Sequence, residues 1–316
     1  RNSELNGQIH DVMIEEKNKT LVVVTGPTGV GKTAVAIELA QRLGCEIVNA
    51  DSRQVFRDIP IGTAAPTTRE QALVKHHFVQ FKNLDEYYSA AQFEEDVMNV
   101  LPQLWAQGDF AVMCGGSMMY VDAVCKGIDF MPDVSHDVRL ATKRQYREEG
   151  LEKMLEILKT LDPEYFEIVD KKNPKRVVHA VEVCRETGQP YTSFRTGHAK
   201  RRPFNIVKLG LNVERPVLFD RINRRVDRMI AQGLEQEARR VEHLRHLNSL
   251  NTVGYKEMFA HFDGKMDFNT ACERIKKNTR VYAKKQLTWF AKDASVVWCR
   301  PGEAVHEALR LIDAGR

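Results

Sequence analysis

The chain has 316 residues, of which 43% are hydrophobic and 28% are charged, and its formal net charge at pH 7 is +4. This length allows one substantial core with an accessory domain, and the hydrophobic fraction is ordinary for a globular protein. No apolar stretch approaches the roughly 20 residues of a membrane-spanning helix, so we expect no membrane association. The six cysteines form no C-x-x-C pair, which argues against a zinc site and favours reduced thiols in a cytoplasmic protein.

The first motif along the chain is a glycine-rich run that fits the phosphate-binding pattern G-x-x-x-x-G-K-[ST], the P-loop, at every fixed position. Its residues are Gly26, Pro27, Thr28, Gly29, Val30, Gly31, Lys32 and Thr33. The glycines let backbone N–H groups turn inward around an anion, and the following helix adds its positive dipole end. Lys32 adds a positive charge, and the Thr33 hydroxyl is a candidate ligand of Mg²⁺. The motif predicts a phosphate site for a nucleoside triphosphate or for any diphosphate.

The segments around this loop indicate an open parallel α/β sheet. Residues 21–25 form an apolar run typical of a buried strand, and residues 34–43 have the pattern of a helix. A second predicted strand, residues 46–50, leads directly to Asp51. A third, residues 110–114, ends in a glycine pair, Gly115 and Gly116. Because the carboxyl ends of parallel strands meet at one edge of a sheet, we expect Asp51 and the glycine pair to lie beside the P-loop.

The chain changes character in its middle, which divides it into a core and an insertion. From about residue 127 the strand signals fade and amphipathic helices follow, such as the one that includes residues 151–158. Strand signals return at residues 206–213 and 295–299. We therefore predict an α/β fold: a P-loop NTPase-like core with a parallel sheet, interrupted by a helical insertion domain. The predicted boundaries are 1–19 for a poorly ordered N-terminus, 20–126 and 201–316 for the core, and 127–200 for the insertion.

Basic residues cluster in the last third of the chain. Residues 274–285 carry six positive charges and no acid, namely Arg274, Lys276, Lys277, Arg280, Lys284 and Lys285. A solvated helix face is the usual fate of such a run, but the lack of compensating acids favours binding of a polyanion. Around residues 221–228, Asp220 and Asp227 interleave with the arginines, so there we expect a solvated face.

Five further motifs, in family order, resemble those of tRNA dimethylallyltransferases. They are residues 51–56 with 61–64, 115–120, 176–183, 253–257 and 279–289. The resemblance covers nearly the whole chain, from about residue 20 to residue 290, and is far more specific than a P-loop alone. Where the family usually has threonine after the glycine pair, this sequence has Ser117, which keeps the hydroxyl. The zinc finger of eukaryotic relatives is missing, so the resemblance implies the bacterial form.

The resemblance implies a reaction. A dimethylallyl group would pass from dimethylallyl diphosphate to N6 of the adenine on the 3′ side of the tRNA anticodon, with Mg²⁺ as the cofactor. The implied partners are tRNA, through its anticodon stem-loop, and the diphosphate donor. We expect a cytoplasmic monomer.

The resemblance also implies four catalytic residues, Asp51, Thr33, Lys32 and Arg225. Lys32 and a Thr33-bound Mg²⁺ would stabilise the leaving diphosphate, and Arg225 is a further candidate for gripping it. Asp51 would take the proton that the adenine N6 loses as the new bond forms. The position of Asp51 alone equally fits an organiser of Mg²⁺ of the Walker-B type, and the resemblance favours the base.

Residues that line the tRNA follow from the resemblance as well. In the core they are Asp51, Ser52, Arg53, Gln54 and Ser117, with Asn251, Thr252, Val253, Gly254, Tyr255 and Lys256. In the insertion, which would grip the stem-loop mainly through phosphates, they are Arg139, Lys175, Arg176, Val177, Val178 and His179. The target adenine must leave its stack to reach the donor, which costs less in a loop than in a duplex.

Two other classes of function fit parts of the pattern. A P-loop kinase of a nucleotide or small metabolite would share the short sheet and the insertion, and it would turn over ATP without RNA. A non-catalytic RNA-binding ATPase would share the P-loop and the basic helices. A GTPase is disfavoured because the chain contains neither N-K-x-D nor D-x-x-G. A free-nucleotide isopentenyltransferase is a near relative, but the large basic helical portion favours a polymeric acceptor.

Overall fold

The computed structural model describes residues 18–129 and 131–315. Of the N-terminal segment for which we expect poor order, residues 1–17 lie outside the described residues. The chain divides into two compact units, one formed by residues up to Lys126 together with those from Arg201 onward, and the other by Gly127–Lys200. Within the described ranges, no helix is both long and apolar enough to cross a membrane.

The first unit is built on a six-stranded parallel sheet with the strand order β3-β2-β4-β1-β5-β6. The strands are β1 (Thr20–Thr25), β2 (Ile47–Asn49), β3 (His76–His77), β4 (Phe110–Cys114), β5 (Asn205–Leu211) and β6 (Val296–Cys299). In the middle of the sheet, Val22 of β1 lies opposite Val112 of β4 and Val207 of β5. The chain that returns from the second unit therefore pairs directly with the first strand.

Helices account for most of the remaining chain. They are α1 (Lys32–Leu43), α2 (Thr68–Leu73), α3 (Ala90–Trp105), α4 (Met118–Lys126), α5 (His136–Leu161), α6 (Pro163–Ile168), α7 (Pro174–Thr187), α8 (Arg215–Ala231), α9 (Leu234–Val241), α10 (Tyr255–Phe262), α11 (Phe268–Phe290) and α12 (Ala304–Ala314). Helices α5 to α7 belong to the second unit. Short 3₁₀ turns lie at Tyr191–Phe194, Glu242–Leu244, Asn248–Leu250 and Pro301–Glu303.

The sheet carries a hydrophobic core on each of its faces. Leu21 and Val23 of β1 belong to one cluster of buried residues, whereas Val22 and Val24 belong to another. Successive side chains of a strand point to opposite faces, so a strand buried on both sides reads as one continuous apolar run. The predicted fold class is confirmed. Of the six strands in this sheet, the two-residue edge strand β3 is the one that sequence patterns did not reveal, because two histidines carry no apolar signal.

The second unit is a small helical domain with its own core. Met154 and Leu158 of α5 and Val177 of α7 are fully buried in it. The side chain of Asp162 begins α6 by accepting a hydrogen bond of 3.0 Å from the Tyr165 N–H. The carboxylate thus supplies the helix with an N-terminal cap.

A largely buried ion pair ties β5 to the turn before β6. Lys208 Nζ lies 2.7 Å from Asp293 Oδ2. Burial acts to raise the pKa of Asp293, but hydrogen bonds from Lys208 and Ser295 outweigh it and hold that pKa below its usual value. The pair therefore stabilises the folded chain wherever the unfolded carboxyl is ionised.

We predict that Asp293→Asn lowers the free energy of unfolding by about 3–5 kcal/mol, because Lys208 stays buried without its counter-charge. Glu214→Gln, which breaks an exposed ion pair with Arg300, should cost less than about 1 kcal/mol. Urea unfolding measures both. The contribution of Asp293 should fade as the pH falls below about 4, because its carboxyl is then protonated in the unfolded chain. Equal losses in the two variants would contradict this account.

Candidate active site

The P-loop joins β1 to α1 and leaves the start of the helix open. Gly31 precedes α1 in a left-handed conformation with φ 105°, and no side chain caps the first turn. The first N–H groups of α1 have no carbonyl partner within the helix, so they are suited to hold an anion. At Gly26, φ is 140° and an added Cβ would lie 2.6 Å from the Leu211 carbonyl oxygen. Only glycine fits where the loop leaves the sheet.

Lys32 lies over the P-loop. Its ammonium donates hydrogen bonds of 3.0 Å to the Gly26 carbonyl and 2.9 Å to the Pro27 carbonyl. The pKa of Lys32 is lowered to about 8, chiefly by burial; the nearby Arg225 contributes to the lowering, and Asp51 acts in the opposite direction. An anion bound in the loop would favour the charged form of Lys32.

Asp51 follows β2 at the same edge of the sheet, as predicted. Its Oδ1 accepts hydrogen bonds from the backbone N–H groups of Arg53 (2.8 Å) and Gln54 (3.1 Å), which fixes the carboxylate in a turn. Both bonds use Oδ1, which leaves Oδ2 as an acceptor for a proton. The charge of Asp51 acts on Lys32 and on Arg225, so the three groups share one site.

The glycine pair after β4 closes the site from a third side. A Cβ on Gly115 would lie 2.1 Å from the Ala50 carbonyl oxygen. This loop therefore meets the loop that follows β2 and begins at Asp51, here named the Asp51 loop, backbone to backbone. Ser117 accepts a hydrogen bond of 2.8 Å from the Ser52 N–H. The hydroxyl that we expected to contact RNA is therefore largely buried and positions the Asp51 loop.

Gln286 of α11 connects two of these loops, and our reasoning from sequence missed it. Its side chain accepts a hydrogen bond of 2.8 Å from the Thr28 N–H and donates one of 2.9 Å to the Gly116 carbonyl. The residue is 2% exposed. A signal was available, because Gln286 lies between Ala283 and Phe290 at helical spacing on a face that is otherwise apolar.

Two arginines of α8 also reach the site. Arg221 donates a hydrogen bond of 2.9 Å to the Val30 carbonyl of the P-loop. Arg225 is half-buried, and its Nε is buried with no hydrogen-bond partner among the described residues. Burial, together with Arg228, lowers the pKa of Arg225, while Asp51 opposes the shift. The expected solvated face is wrong for Arg225, because α8 packs beside the P-loop. Arg221 is exposed although it is bonded to the loop, and Arg224 is exposed and paired with Asp220.

The arrangement has a clear chemical meaning. A buried guanidinium with an unpaired N–H is costly unless an anion accepts from it. Lys32 and the open terminus of α1 supply further donors for the same anion. The carboxylate of Asp51 provides a base beside it, and Tyr282, whose pKa burial raises to about 12, lies within hydrogen-bond reach of Ser117. The site therefore combines an anion cradle with a fixed carboxylate.

Two residues assigned to the tRNA are engaged inside the first unit. The Gln54 side chain accepts from Asn49 Nδ2 at 3.1 Å and donates to the carbonyls of Thr63 and Ala64, both at 3.0 Å. Arg53 donates to the Asn248 carbonyl at 2.9 Å. These side chains shape the Asp51 loop, so an RNA contact by either has to share or replace these bonds.

Tyr255 is fully buried, so the expectation that its side chain contacts RNA is wrong. Its hydroxyl donates to Glu237, which also accepts hydrogen bonds of 2.9 Å from the N–H groups of Ile61 and Gly62. This network holds the far end of the Asp51 loop. Of the neighbouring candidates, Asn251 and Lys256 are exposed, Thr252 and Val253 are half-buried, and Gly254 is buried.

The insertion candidates also separate by burial. Arg139, Lys175 and Arg176 are exposed, and His179 is half-buried. Val177 and Val178 are buried within the second unit, so their side chains are removed from the RNA candidates. The helical period explains this difference, since neighbouring residues of α7 point to different sides.

The basic run on α11 is less free than its sequence indicates. Lys276 lies 2.8 Å from Asp227 of α8 and 3.1 Å from Glu273, so the expectation of uncompensated charge is wrong at this position. Arg280 donates a hydrogen bond of 2.7 Å to the side-chain oxygen of Asn223. The two acids that compensate Lys276 are Asp227, on an adjacent helix, and Glu273, the residue just before the basic run. Three exposed lysines of α11 have no ion pair within the described part of the chain, namely Lys277, Lys284 and Lys285.

Comparisons with known proteins identify the family of this chain. The family model described as IPP transferase matches residues 54–293. A relative from Parabacteroides distasonis named tRNA dimethylallyltransferase 2 is 54% identical over 90% of this chain and 95% of its own. One from Phocaeicola vulgatus named tRNA dimethylallyltransferase 1 is 53% identical, with the same coverage. The chain belongs to the IPP transferase family.

Solved structures show the same fold. A full-length tRNA isopentenylpyrophosphate transferase from Bacillus halodurans matches with a TM-score of 0.68 and 33% identity, over 95% of this chain and 96% of its own. A eukaryotic dimethylallyltransferase acting on tRNA matches with a TM-score of 0.76 and 24% identity, over 90% of this chain and 74% of its own. The second likeness concerns the fold alone.

We predict that Lys32→Met weakens binding of inorganic diphosphate about 10- to 100-fold, because a charge-assisted hydrogen bond contributes about 1.5–3 kcal/mol. The advantage of the wild type over the variant should shrink as the pH rises above about 8, where Lys32 loses its proton. Calorimetric titration of both proteins from pH 6.5 to 9.5 gives the ratio of their dissociation constants for diphosphate. Taking this ratio cancels the effect of the protonation of diphosphate itself. The control Lys75→Met changes an exposed lysine at the opposite edge of the sheet. A ratio that does not vary with pH would contradict the role of Lys32.

Proposed function

We propose that this protein transfers a dimethylallyl group from dimethylallyl diphosphate to N6 of the adenine on the 3′ side of a tRNA anticodon. The observation that carries the proposal is the juxtaposition of two partly buried cations, Lys32 and Arg225, with the fixed carboxylate of Asp51. The cations suit a diphosphate leaving group, and the carboxylate suits the amine that replaces it. Family membership supplies the tRNA acceptor.

The donor half of the reaction follows from the P-loop. Amides at the start of α1, the Lys32 ammonium and the unpaired N–H of Arg225 would hold the diphosphate where negative charge grows as the carbon–oxygen bond breaks. These donors are positioned before the reaction, so little reorganisation is needed when the charge develops. The apolar tail would lie outside the cradle, toward the acceptor.

The residues present fit a Mg²⁺ ion of the kind that is bound mainly through substrate phosphates. Thr33 lies half-buried in the first turn of α1, and its hydroxyl would hold the ion. Among the described residues, no group of three or more His, Cys, Asp and Glu side chains could bind a metal by itself. Mg²⁺ commonly takes one or two protein ligands, with phosphate oxygens and water completing its shell. When bound it would neutralise charge on the leaving diphosphate.

The acceptor half places Asp51 at the reacting nitrogen. The N6 lone pair attacks the allylic carbon, the carbon–oxygen bond breaks, and diphosphate leaves with the bonding electrons. N6 then carries a surplus proton, which passes to the free oxygen of Asp51. The hydrogen bonds that Arg53 and Gln54 donate to Oδ1 hold the carboxylate in place during this transfer.

We further propose that the enzyme acts as a cytoplasmic monomer on the anticodon stem-loop, because tRNA is a cytoplasmic substrate and its phosphates suit the exposed cations of α7. The direct test is incubation with radiolabelled dimethylallyl diphosphate and either bulk tRNA or AMP. Label transferred to tRNA but not to AMP supports the proposal. Label on AMP alone would indicate a free-nucleotide enzyme, and ATP turnover without RNA would indicate a kinase.

For the base we expect Asp51→Asn to lower turnover about 10²- to 10⁴-fold, with the affinity for tRNA changed much less. The asparagine keeps its shape and its acceptor oxygen for the turn but does not take up the proton. Single-turnover transfer and tRNA binding, measured on the same preparation, separate the two effects. Asp58→Asn, an exposed carboxylate seven positions further along the same loop, is the matched control. Rescue of Asp51→Asn by raised Mg²⁺ would instead favour the metal-organising role.

Salt dependence tests the exposed lysines. Replacing Lys277, Lys284 and Lys285 together with Gln should weaken tRNA binding and lower the salt slope by about one unit for each lost phosphate contact. The affinity for the diphosphate donor should hold, because the P-loop is unchanged. Lys276→Gln should change the slope least, since Lys276 is already paired with Asp227. Identical salt slopes for the triple variant and the wild type would show that the three lysines belong to a solvated helix face and do not contact tRNA.

A further inference from the structure

The most exposed of the large apolar side chains in the described residues is that of Tyr87, 76% of which is accessible to solvent. Its neighbour Tyr88 is 7% exposed and packs edge-on against Phe81 and Phe93. The chain therefore buries one tyrosine and presents the next ring to solvent. An exposed aromatic ring is unremarkable by itself, so its surroundings decide whether it has a role.

The backbone that carries Tyr87 is held at several points. Tyr120 donates a hydrogen bond of 2.7 Å to the Tyr88 carbonyl, and Ser249 donates one of 2.7 Å to the Leu84 carbonyl. The Asn83 N–H donates to Glu86 at 2.6 Å. Tyrosine has only two side-chain torsions, so a ring on such a fixed segment offers contact area at a low cost in conformational entropy.

The same segment is connected to the Asp51 loop. The Phe81 N–H donates to the Val55 carbonyl at 2.9 Å, and the Arg57 N–H donates to the Lys82 carbonyl at 3.0 Å. Tyr120 connects the two regions: its hydroxyl donates to the Tyr88 carbonyl, burial and the Asp51 carboxylate raise the pKa of its phenol, and Arg53 opposes that shift. Tyr87 thus lies on the acceptor side of the site.

Charges of both signs lie around this segment: Asp85 and Glu86 precede Tyr87, and Glu86 lies 3.5 Å from Lys82. Lys82 lies 5.3 Å from the ring centre of Tyr88, and Arg57 is exposed and donates to the Phe81 carbonyl at 2.7 Å. Arg53 is bound to the carbonyls of Asn248 and Ser249, the latter being the residue that holds Leu84. The exposed ring of Tyr87 is a surface of the kind on which single-stranded bases stack, and the exposed Arg57 on the adjoining loop suits a phosphate.

The inference rests on the proposed function. An adenine that is modified at N6 must be turned out of its stack, and a neighbouring base of the loop then loses a stacking partner. We propose that Tyr87 is a stacking platform for an anticodon-loop base adjacent to the modified adenine. The ring replaces the lost partner, which lowers the cost of the extruded state.

The test measures, by fluorescence anisotropy, how tightly the wild type, Tyr87→Ala and Tyr87→Phe bind a synthetic anticodon stem-loop RNA. Base–aromatic stacking is worth about 1–3 kcal/mol, so Tyr87→Ala should weaken RNA binding about 5- to 150-fold. Tyr87→Phe should bind within about twofold of the wild type, because it keeps the ring. The KM for dimethylallyl diphosphate and the thermal unfolding midpoint should be unchanged in both.

Leu73→Ala is the matched control. Leu73 is 55% exposed and ends α2, just before β3, so it lies toward the amino-terminal edge of the parallel sheet. The control variant should bind RNA like the wild type. A second readout uses stem-loops with 2-aminopurine at each position beside the modified adenine. Its emission should be quenched by the wild type at one of these positions and recover with Tyr87→Ala.

The outcomes separate the inference from the function on which it rests. Unchanged RNA affinity in Tyr87→Ala would overturn the stacking platform, as would an equal loss in Tyr87→Phe. If the wild type binds the stem-loop but transfers no label, the proposed reaction fails, while the binding comparison still decides the role of Tyr87.

Discussion

The site depends on the close approach of three backbone loops at the carboxyl edge of the sheet. Gly115 meets Ala50 at a distance that leaves no space for a side chain, and the Thr25 hydroxyl donates to the Gly115 carbonyl at 2.8 Å. Gln286 completes the arrangement by joining the P-loop to the loop of Gly116. Because β1, β2 and β4 are adjacent and parallel, their ends deliver the anion cradle, the carboxylate and the glycine pair to one place.

The electrostatics of the site follow from this packing. Closing the loops removes Lys32 and Arg225 from much of the surrounding water, which disfavours their charged forms and lowers both pKa values. Groups with such shifts in a shared site are typical of functional centres. The unfavourable burial suits an anionic ligand, since a bound diphosphate would supply both the missing counter-charge and the missing hydrogen-bond acceptor of Arg225.

Several motif residues act through position rather than contact. Gln54 ties the end of β2 to the turn at Thr63, and Tyr255 with Glu237 holds the turn at Gly62. An added Cβ at Gly62 would lie 2.2 Å from the Tyr255 hydroxyl, so this turn and α10 fit one another closely. A family motif therefore marks residues that matter to the site without saying which of them meet the substrate. Burial makes that distinction.

The amino-acid sequence alone was sufficient for the P-loop, the parallel α/β core, the position of Asp51 and the family. These are local patterns of glycine spacing, apolar periodicity and short motifs, and they are legible without knowing what packs against them. The bond between Gln286 and Thr28 joins residues 258 positions apart, and the pairing of Lys276 with Asp227 joins two helices. Such contacts, like the burial of Arg225 and the exposure of Tyr87, follow from which faces meet when the helices pack on the sheet. No local pattern carries that information, because the same residue is a solvated charge on one face and an anion ligand on another.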